Sequence, residues 1–450
     1  MAGEQILGPA PSGWSYKTLG AACKEGGGDI QTGPFGSQLH ASDYKPTGIP
    51  SIMPQNIGDN RIIEDGIARI SETDAQRLHR YLVRTGDIVY SRRGDVERRA
   101  LVRAHEDGWL CGTGCLRVRL GANGANPRYV SFYLGHPAVR EWVVRHAQGA
   151  TMPNLNTSIL GACPFLEPPL PEQRAIAHIL GTLDDKIELN RRMSETLEAM
   201  ARALFKSWFI DFDPVRAKAE GRDPGLPKPI ADLFPGRLVD SELGETPEGW
   251  RLSTLGAEVE SVLGGTPSRE HPEYWGGDIP WINSGKANEF RVVEPSEFIT
   301  HEGLASSATK MLPSRTTIIA ITGATLGQIS VTEIAVCANQ SIVGVLGTDT
   351  LPTEFLYFWI SEHVDELLAR QTGGAQQHIN KNNINELPVL CPGAPLVRAY
   401  LGTARTVFDR IRTCLFESRA LAALRDALLP ALLSGDVRAK GITIVIGRDA

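Results

Sequence analysis

Between Arg77 and Arg103, eight arginines (Arg77, Arg80, Arg84, Arg92, Arg93, Arg98, Arg99 and Arg103) face only Asp87, Asp95 and Glu97. A guanidinium presents paired donors that match a phosphate or the O6/N7 edge of guanine. The run Ser91-Arg92-Arg93-Gly94 follows a strand-like segment, so it suits a loop that reads such acceptors. Arginines that only coat a surface leave the same composition, and that reading stays open. Further loop residues of suitable type are Gly36, Ser37 and Gln38 in the first half, with Thr266, Ser268 and Lys286 in the second. Thr322 and Thr325 occupy the second-half segment that corresponds to the arginine loop and carries no charge. Catalytic patterns are weaker. Asp184-Asp185 and Asp211 with Asp213 are paired acids, but the first pair falls on a helix and the second at a turn, where solvated-face and capping roles account for them. The segment from Gly323 to Gly327 lacks the Lys-Ser/Thr of a phosphate loop, and no Asn/Asp-Pro-Pro-aromatic motif is present to hold a flipped base. His40, His105, His146, His271, His301 and His378 show no metal-ligand spacing.

These residues sit in a chain of 450 with 42% hydrophobic residues, enough for two to four units with cores of their own. A net charge of −6 argues against a uniformly basic coat and leaves room for a local basic face. Seven scattered cysteines make no disulfide framework, and Cys111 and Cys115 form a CxxxC without a matching second pair. They read as reduced thiols. No stretch reads as a signal peptide or is long enough to span a membrane, so the expected location is the cytoplasm, with no membrane partner.

The dominant positioning element is a long helix over residues 171–210. Ile176, Leu180, Leu183, Ile187, Asn190, Ser194, Leu197, Ala201, Leu204 and Trp208 recur at alternating steps of four and three, the seam of a helix packed lengthwise on another. Its length would be about 55 to 60 Å. A shift of 224 residues lays Tyr400, Ala404, Val407, Ile411, Cys414, Ser418, Leu421, Leu428 and Leu432 on that seam, which predicts a second copy over residues 394–434. Asn190 would either fix the register or face a polar group of the partner helix. The domains repeat as well. Trp14-Ser-Tyr-Lys-Thr-Leu-Gly20 matches Trp250-Arg-Leu-Ser-Thr-Leu-Gly256, Ile49-Pro-Ser-Ile52 matches Ile279-Pro-Trp-Ile282, and residues 149–156 match 373–380. The expected order is a domain over 1–170, the first helix, a proline-rich linker over 211–248, a second domain over 249–393, the second helix and a tail over 435–450. Both domains read as mixed α/β (α+β), and the helices as an antiparallel coiled-coil spacer in a pseudo-twofold repeat.

With these residues laid out, the chain resembles the specificity subunit of type I restriction-modification enzymes. The carriers are Gly33-Pro-Phe-Gly-Ser-Gln-Leu39, Pro169-Leu-Pro-Glu-Gln-Arg174, Leu204-Phe-Lys-Ser-Trp-Phe-Ile-Asp-Phe-Asp-Pro214, Gly264-Gly-Thr-Pro-Ser268, Tyr274-Trp-Gly-Gly-Asp-Ile-Pro-Trp281 and Thr322-Gly-Ala-Thr-Leu-Gly327. The resemblance implies two target-recognition domains, each reading one half of a bipartite double-stranded DNA target. It implies partners as well: two modification subunits that methylate adenine N6 with S-adenosylmethionine, and restriction subunits that act as motor and nuclease. ATP and Mg2+ would belong to those partners, and this chain would bind no cofactor and catalyse nothing alone. Ala394-Pro-Leu-Val-Arg398 departs from the usual opening of the second helix. The expected docking residues are Ile187, Leu197, Leu204, Phe205, Trp208, Phe209, Ile411, Leu421 and Leu428, with Trp208→Ala weakening assembly more than folding; for Phe205, Trp208 and Phe209 a place in the chain's own core is the competing reading. The rival class is a duplicated scaffold or protein-binding module that never touches DNA; the arginine cluster has no role in it.

Overall fold

The computed structural model describes residues 5–149, 152–242, 244–369 and 378–439. The chain divides into two compact units: Met1–Ile187 with Ala420–Ala450, and Glu188–Arg419.

In the first unit a five-stranded sheet runs in the order Asp29–Thr32, Cys115–Arg119, Ile88–Ser91, Arg99–Leu101, Asp59–Asn60. A four-stranded sheet runs Tyr44–Lys45, Ala68–Ile70, Ile49–Ile52, Leu110–Cys111, and Ser15–Thr18 pairs antiparallel with Pro164–Glu167. Ile88, Tyr90, Leu116 and Val118 are fully buried and pack with Tyr129, Tyr133, Trp142 and Phe165. Two helices follow, Pro127–Tyr133 and Pro137–His146, each with proline at its start, where the missing N–H costs no hydrogen bond.

The second unit repeats this plan. Ser261–Leu263, Ile342–Val345, Thr317–Ala320 and Ile329–Val331 form one sheet, and Glu297–Ile299, Trp275–Ile282, Val336–Ala338 and Met311–Leu312 form another. Arg251–Thr254 pairs with Pro388–Cys391 as Ser15–Thr18 does with Pro164–Glu167. The parallel pairing of Ile52 with Cys111 recurs between Ile282 and Ala338. Of the matched segments 149–156 and 373–380, residues 150–151 and 373–377 lie outside the described residues. The proline-rich stretch expected as a linker carries two short helices, Asp213–Ala219 and Lys228–Ala231, and the hairpin Leu238–Ser241 with Gly244–Pro247. Pro214 and Pro229 fall in the first turns of these helices, where proline starts a helix rather than breaking one.

The long helices span Leu170–Phe209 and Ala394–Ser434. They run antiparallel in each unit taken by itself. In the first unit, Asp184 of one helix pairs with Arg425 of the other at 2.7 Å, while Glu172, earlier in the first helix, meets Arg438 beyond the end of the second. In the second unit, Asn190 donates to Glu417 at 2.8 Å and to the Cys414 carbonyl at 3.4 Å, while Phe209 packs against Tyr400. Asn190 thus bonds the facing helix.

The buried stripe of the first helix departs from the apolar seam at two charged positions. Asp184 rather than Leu183 is buried, bonded to Arg425 and Asn60, and Glu198 rather than Leu197 is buried, meeting Arg291 at 2.6 Å and the Tyr357 hydroxyl at 2.7 Å. Such carboxylates are tolerated inside because each is paired and hydrogen-bonded. At the helix end, Phe205, Trp208 and Phe209 pack on Phe234, Phe355 and Tyr400 in the second unit's own core. Of the two readings for these three residues the intrachain core is the one observed, so the docking role is withdrawn for them and for Ile411, which is fully buried. Leu204 and Leu428 are half-buried against their units' cores, and Ile187, Leu197 and Leu421 are half-buried.

The cysteines are all free and six are buried. Burial pushes the Cys111 thiol up to about 12, an inert structural thiol rather than a ligand or nucleophile. No helix among the described residues is long and apolar enough to cross a membrane.

Candidate nucleic-acid interface

In the first unit the strand Ile88–Ser91 is buried along its whole length, and the chain leaves it as the arginine loop. Three backbone hydrogen bonds clamp that loop: Arg92 N–H to the Gly114 carbonyl at 2.8 Å, Leu155 N–H to the Arg92 carbonyl at 2.8 Å, and Gly94 N–H to the Pro153 carbonyl at 3.1 Å. Gly94 turns the chain at φ 73°, a left-handed conformation that costs glycine nothing. Arg93 is exposed and Arg92 half-buried, and neither has a carboxylate partner among the described residues. The Arg92 guanidinium lies 5.9 Å from the centre of the Phe35 ring, and its enclosed Nε has no hydrogen-bond partner among the described residues.

Phe35, 54% exposed, opens the turn that holds the exposed Gly36 and Ser37. Gln38 closes the turn, its side-chain oxygen accepting from the Phe35 N–H at 3.1 Å and the Tyr81 hydroxyl at 2.8 Å. The turn is pinned to the strand ends because Gly33 lies against them: a Cβ there would fall 2.0 Å from the Gly112 carbonyl oxygen. Turn and arginine loop therefore form one platform bearing Phe35, Ser37, Arg92 and Arg93.

Two of the expected arginines are spoken for. Arg98 is exposed and pairs with Asp95. Arg99 is 5% exposed, its Nε donating to the Ser131 carbonyl at 2.7 Å, so it braces the interior and leaves the set of candidate readers. Its position in a strand explains this, because alternate side chains of a strand face opposite sides.

The second unit builds the same platform with other side chains. Ile321 N–H donates to the Ser341 carbonyl at 2.9 Å, and Ile379 N–H to the Ile321 carbonyl at 3.1 Å. Gly323 turns the chain at φ 73°, and a Cβ on Gly264 would fall 2.1 Å from the Asn339 carbonyl oxygen. These bonds place Ile321, Thr322 and Gly323 where the first unit has Arg92, Arg93 and Gly94. Thr322 donates to the Ser341 hydroxyl at 2.7 Å, Thr325 reaches the Thr322 carbonyl at 3.5 Å, and Thr266 bonds Gln340. Lys286 is half-buried and neutralised by Glu289 at 2.7 Å. Ser268 is exposed, and beside it stands Arg269, which the sequence reading passed over although it directly follows the Gly264-to-Ser268 motif. Arg269 makes two hydrogen bonds to Glu297, at 2.8 and 2.6 Å, and these hold the Glu297 carboxyl below its usual range. Gly323→Ala would place a side chain at positive φ; we expect a cost of about 1 kcal/mol in urea unfolding, with weakened DNA binding.

The acidic pairs do not converge on a reaction centre. Asp184 is tied to Arg425, Asp185 to Arg128 and Asp211 to Lys206. Among the described residues no group of three or more His, Cys, Asp or Glu could hold a metal ion.

Comparison with known proteins places this architecture. The family model for the type I restriction modification DNA specificity domain matches residues 12–199 and again 247–394. The chain is 25% identical to the type I restriction enzyme HindI specificity subunit of Haemophilus influenzae, over 86% of this chain and 95% of that one. It is 22% identical to the type I restriction enzyme MjaIX specificity subunit of Methanocaldococcus jannaschii, over 97% of this chain and 96% of that one. The crystal structure of a type I restriction-modification system S subunit from M. genitalium shares the fold, with a TM-score of 0.53 at 15% identity, over 93% of this chain and 96% of that one. Two matched domains and two repeated platforms lead to one conclusion: the chain belongs to the type I restriction-modification specificity family and carries two copies of its DNA specificity domain.

Proposed function

We propose that this chain is the specificity subunit of a type I restriction-modification complex, in which each unit reads one half of a split DNA sequence and the long helices fix the gap between the halves. The observation that carries this reading is the repetition of one clamped platform with different side chains at matched positions, Arg92 and Arg93 in one unit against Ile321 and Thr322 in the other. A repeated frame with unlike readers suits a target whose halves differ. The first unit offers Ser37, Gln38, Arg92 and Arg93, and the second Thr266, Ser268, Thr322 and Thr325. Cytoplasmic action fits this role. The chain itself binds no cofactor and carries no catalytic group; S-adenosylmethionine, ATP and Mg2+ act in the modification and restriction subunits.

Docking of the modification subunits falls to the outer faces of the long helices. Leu189 is 53% and Met200 61% exposed. They stand eleven residues apart (200 − 189), about three turns, and so share a face. Leu189→Glu with Met200→Glu is expected to reduce co-purified modification subunit several-fold while chain stability moves by less than about 1 kcal/mol. Unchanged co-purification would move docking elsewhere.

The functional assignment is tested by sequencing-based detection of methylated adenines in cells expressing this chain with its modification subunit. The expected result is adenine methylation confined to one split sequence with a fixed gap. A stable complex with no methylated motif would favour the scaffold role instead.

A further inference from the structure

The second unit has lost the paired arginines of the first, but its platform holds another guanidinium in a more constrained setting. Arg269 lies over Trp275, its Cζ 3.5 Å from the ring centre, and within 5.7 Å of the Trp281 ring centre. Trp275 is itself fixed: its indole N–H donates to the Ser268 carbonyl at 3.3 Å, and it meets Trp281 edge to face with ring centres 5.2 Å apart. Trp281 in turn donates to the Gly265 carbonyl at 3.2 Å, so both indoles are tied to the loop that carries Arg269. Glu297 accepts from Nη1 at 2.8 Å and from Nη2 at 2.6 Å, which occupies the end of the guanidinium. The opposite fork, made by Nε–H and the outer Nη2–H, has no protein acceptor among the described residues. The side chain is nevertheless 56% exposed.

A phosphate contact needs only a positive charge within reach, and a mobile lysine serves it well. Stacking and buttressing fix the plane of the guanidinium and leave one two-donor edge open, an investment that suits an acceptor with two coplanar sites. Among base edges in the major groove, guanine alone presents two adjacent acceptors, O6 and N7. We propose that Arg269 reads a guanine in the half-target contacted by the second unit, through its Nε/Nη2 edge, with Trp275 and Glu297 holding its plane. This rests on the DNA-reading role proposed above and supplies that role with a specificity residue in the second unit.

The test uses the chain in complex with its modification subunit and duplexes carrying the recovered split target. Each guanine of the second half is replaced in turn by 7-deazaguanine or adenine, and affinity is read by fluorescence anisotropy at fixed salt. The wild-type complex is expected to lose about tenfold in affinity at one guanine. The Arg269→Ala complex should bind the parent duplex about tenfold more weakly and be indifferent, within twofold, to replacement of that guanine, while keeping its discrimination elsewhere. Arg269→Lys keeps the charge without the fork and should behave like Arg269→Ala. An even loss of affinity on all duplexes would make Arg269 a phosphate contact and overturn the proposal. Unchanged discrimination in the variants, or a second half without guanine on either strand, would overturn it as well while leaving the split-target reading intact. A wild-type complex without a split target would overturn both.

Discussion

Arg92→Ala with Arg93→Ala is expected to weaken binding of the complex to its target by about a hundredfold, read by anisotropy at fixed salt. Each arginine stands on a loop clamped by backbone hydrogen bonds to residues 114, 153 and 155, so little ordering cost remains to be met on binding. Among the described residues neither has a carboxylate to leave behind, whereas Arg98 would first have to release Asp95. A well-placed arginine contact contributes about 1–3 kcal/mol, so two together change affinity by about 10² or more. The dependence of affinity on salt separates the kinds of contact. If both arginines bind phosphates, the slope of log affinity against log salt falls by about 2; if they read bases, it changes less and the preferred sequence changes. An affinity within twofold of wild type would remove the loop from the interface.

Trp208→Ala is expected to destabilise the unit that contains it by about 3–5 kcal/mol, the cost of deleting a large buried ring. Trp208 is 4% exposed and meets Phe234 edge to face at 5.1 Å, with Tyr400 at 6.2 Å on the second long helix. The ring therefore joins three segments of one core: the end of the first helix, the crossover region and the start of the second helix. Hydrogen exchange followed by mass spectrometry measures this directly, through lost protection in peptides covering residues 201–209 and 394–408. Native protection combined with failed assembly would return Trp208 to the docking role that its position at a helix end first suggested.

The long helices and the duplication were legible because they rest on periodicity, which survives divergence of individual residues. Tyr400, Ala404, Ile411, Cys414 and Leu432, found by translating one seam onto the other, are all buried. The displaced positions have a physical cause. A straight helix repeats every 3.6 residues and drifts from a seven-residue pattern, and the flank it turns toward is covered in each unit by residues distant in sequence. Asn60 and Arg425 receive Asp184, and Arg291 and Tyr357 receive Glu198. A sequence pattern cannot count a carboxylate as buried until its partners are known. Arg99 escaped for the same reason, since its acceptor is a backbone carbonyl at Ser131. The composition of the arginine cluster did not reveal which of its members were already paired inside the fold.

The platforms were legible as motifs but not as geometry. The equivalence of Ser91-Arg92-Arg93-Gly94 with the segment from Ile321 to Thr325 was readable from order alone, and matched hydrogen bonds and a shared φ of 73° at Gly94 and Gly323 give it a structural basis. Arg269 was missed because its importance comes from Trp275, six residues on, and Glu297, on a neighbouring strand. The proline-rich stretch over residues 211–248 was read as a linker because proline was counted as a breaker there; at the first turn of a helix it is a starter.

The central claim is that two units on one chain each read their own half of a split sequence. The most direct measurement is selection of bound duplexes from a randomised pool by the wild-type complex and by the complex carrying Arg92→Ala with Arg93→Ala. The expected wild-type result is two short defined blocks separated by a constant undefined gap, with the variant losing definition in one block and retaining the other. A single continuous block, no defined block, or equal loss of both blocks in the variant would contradict the account.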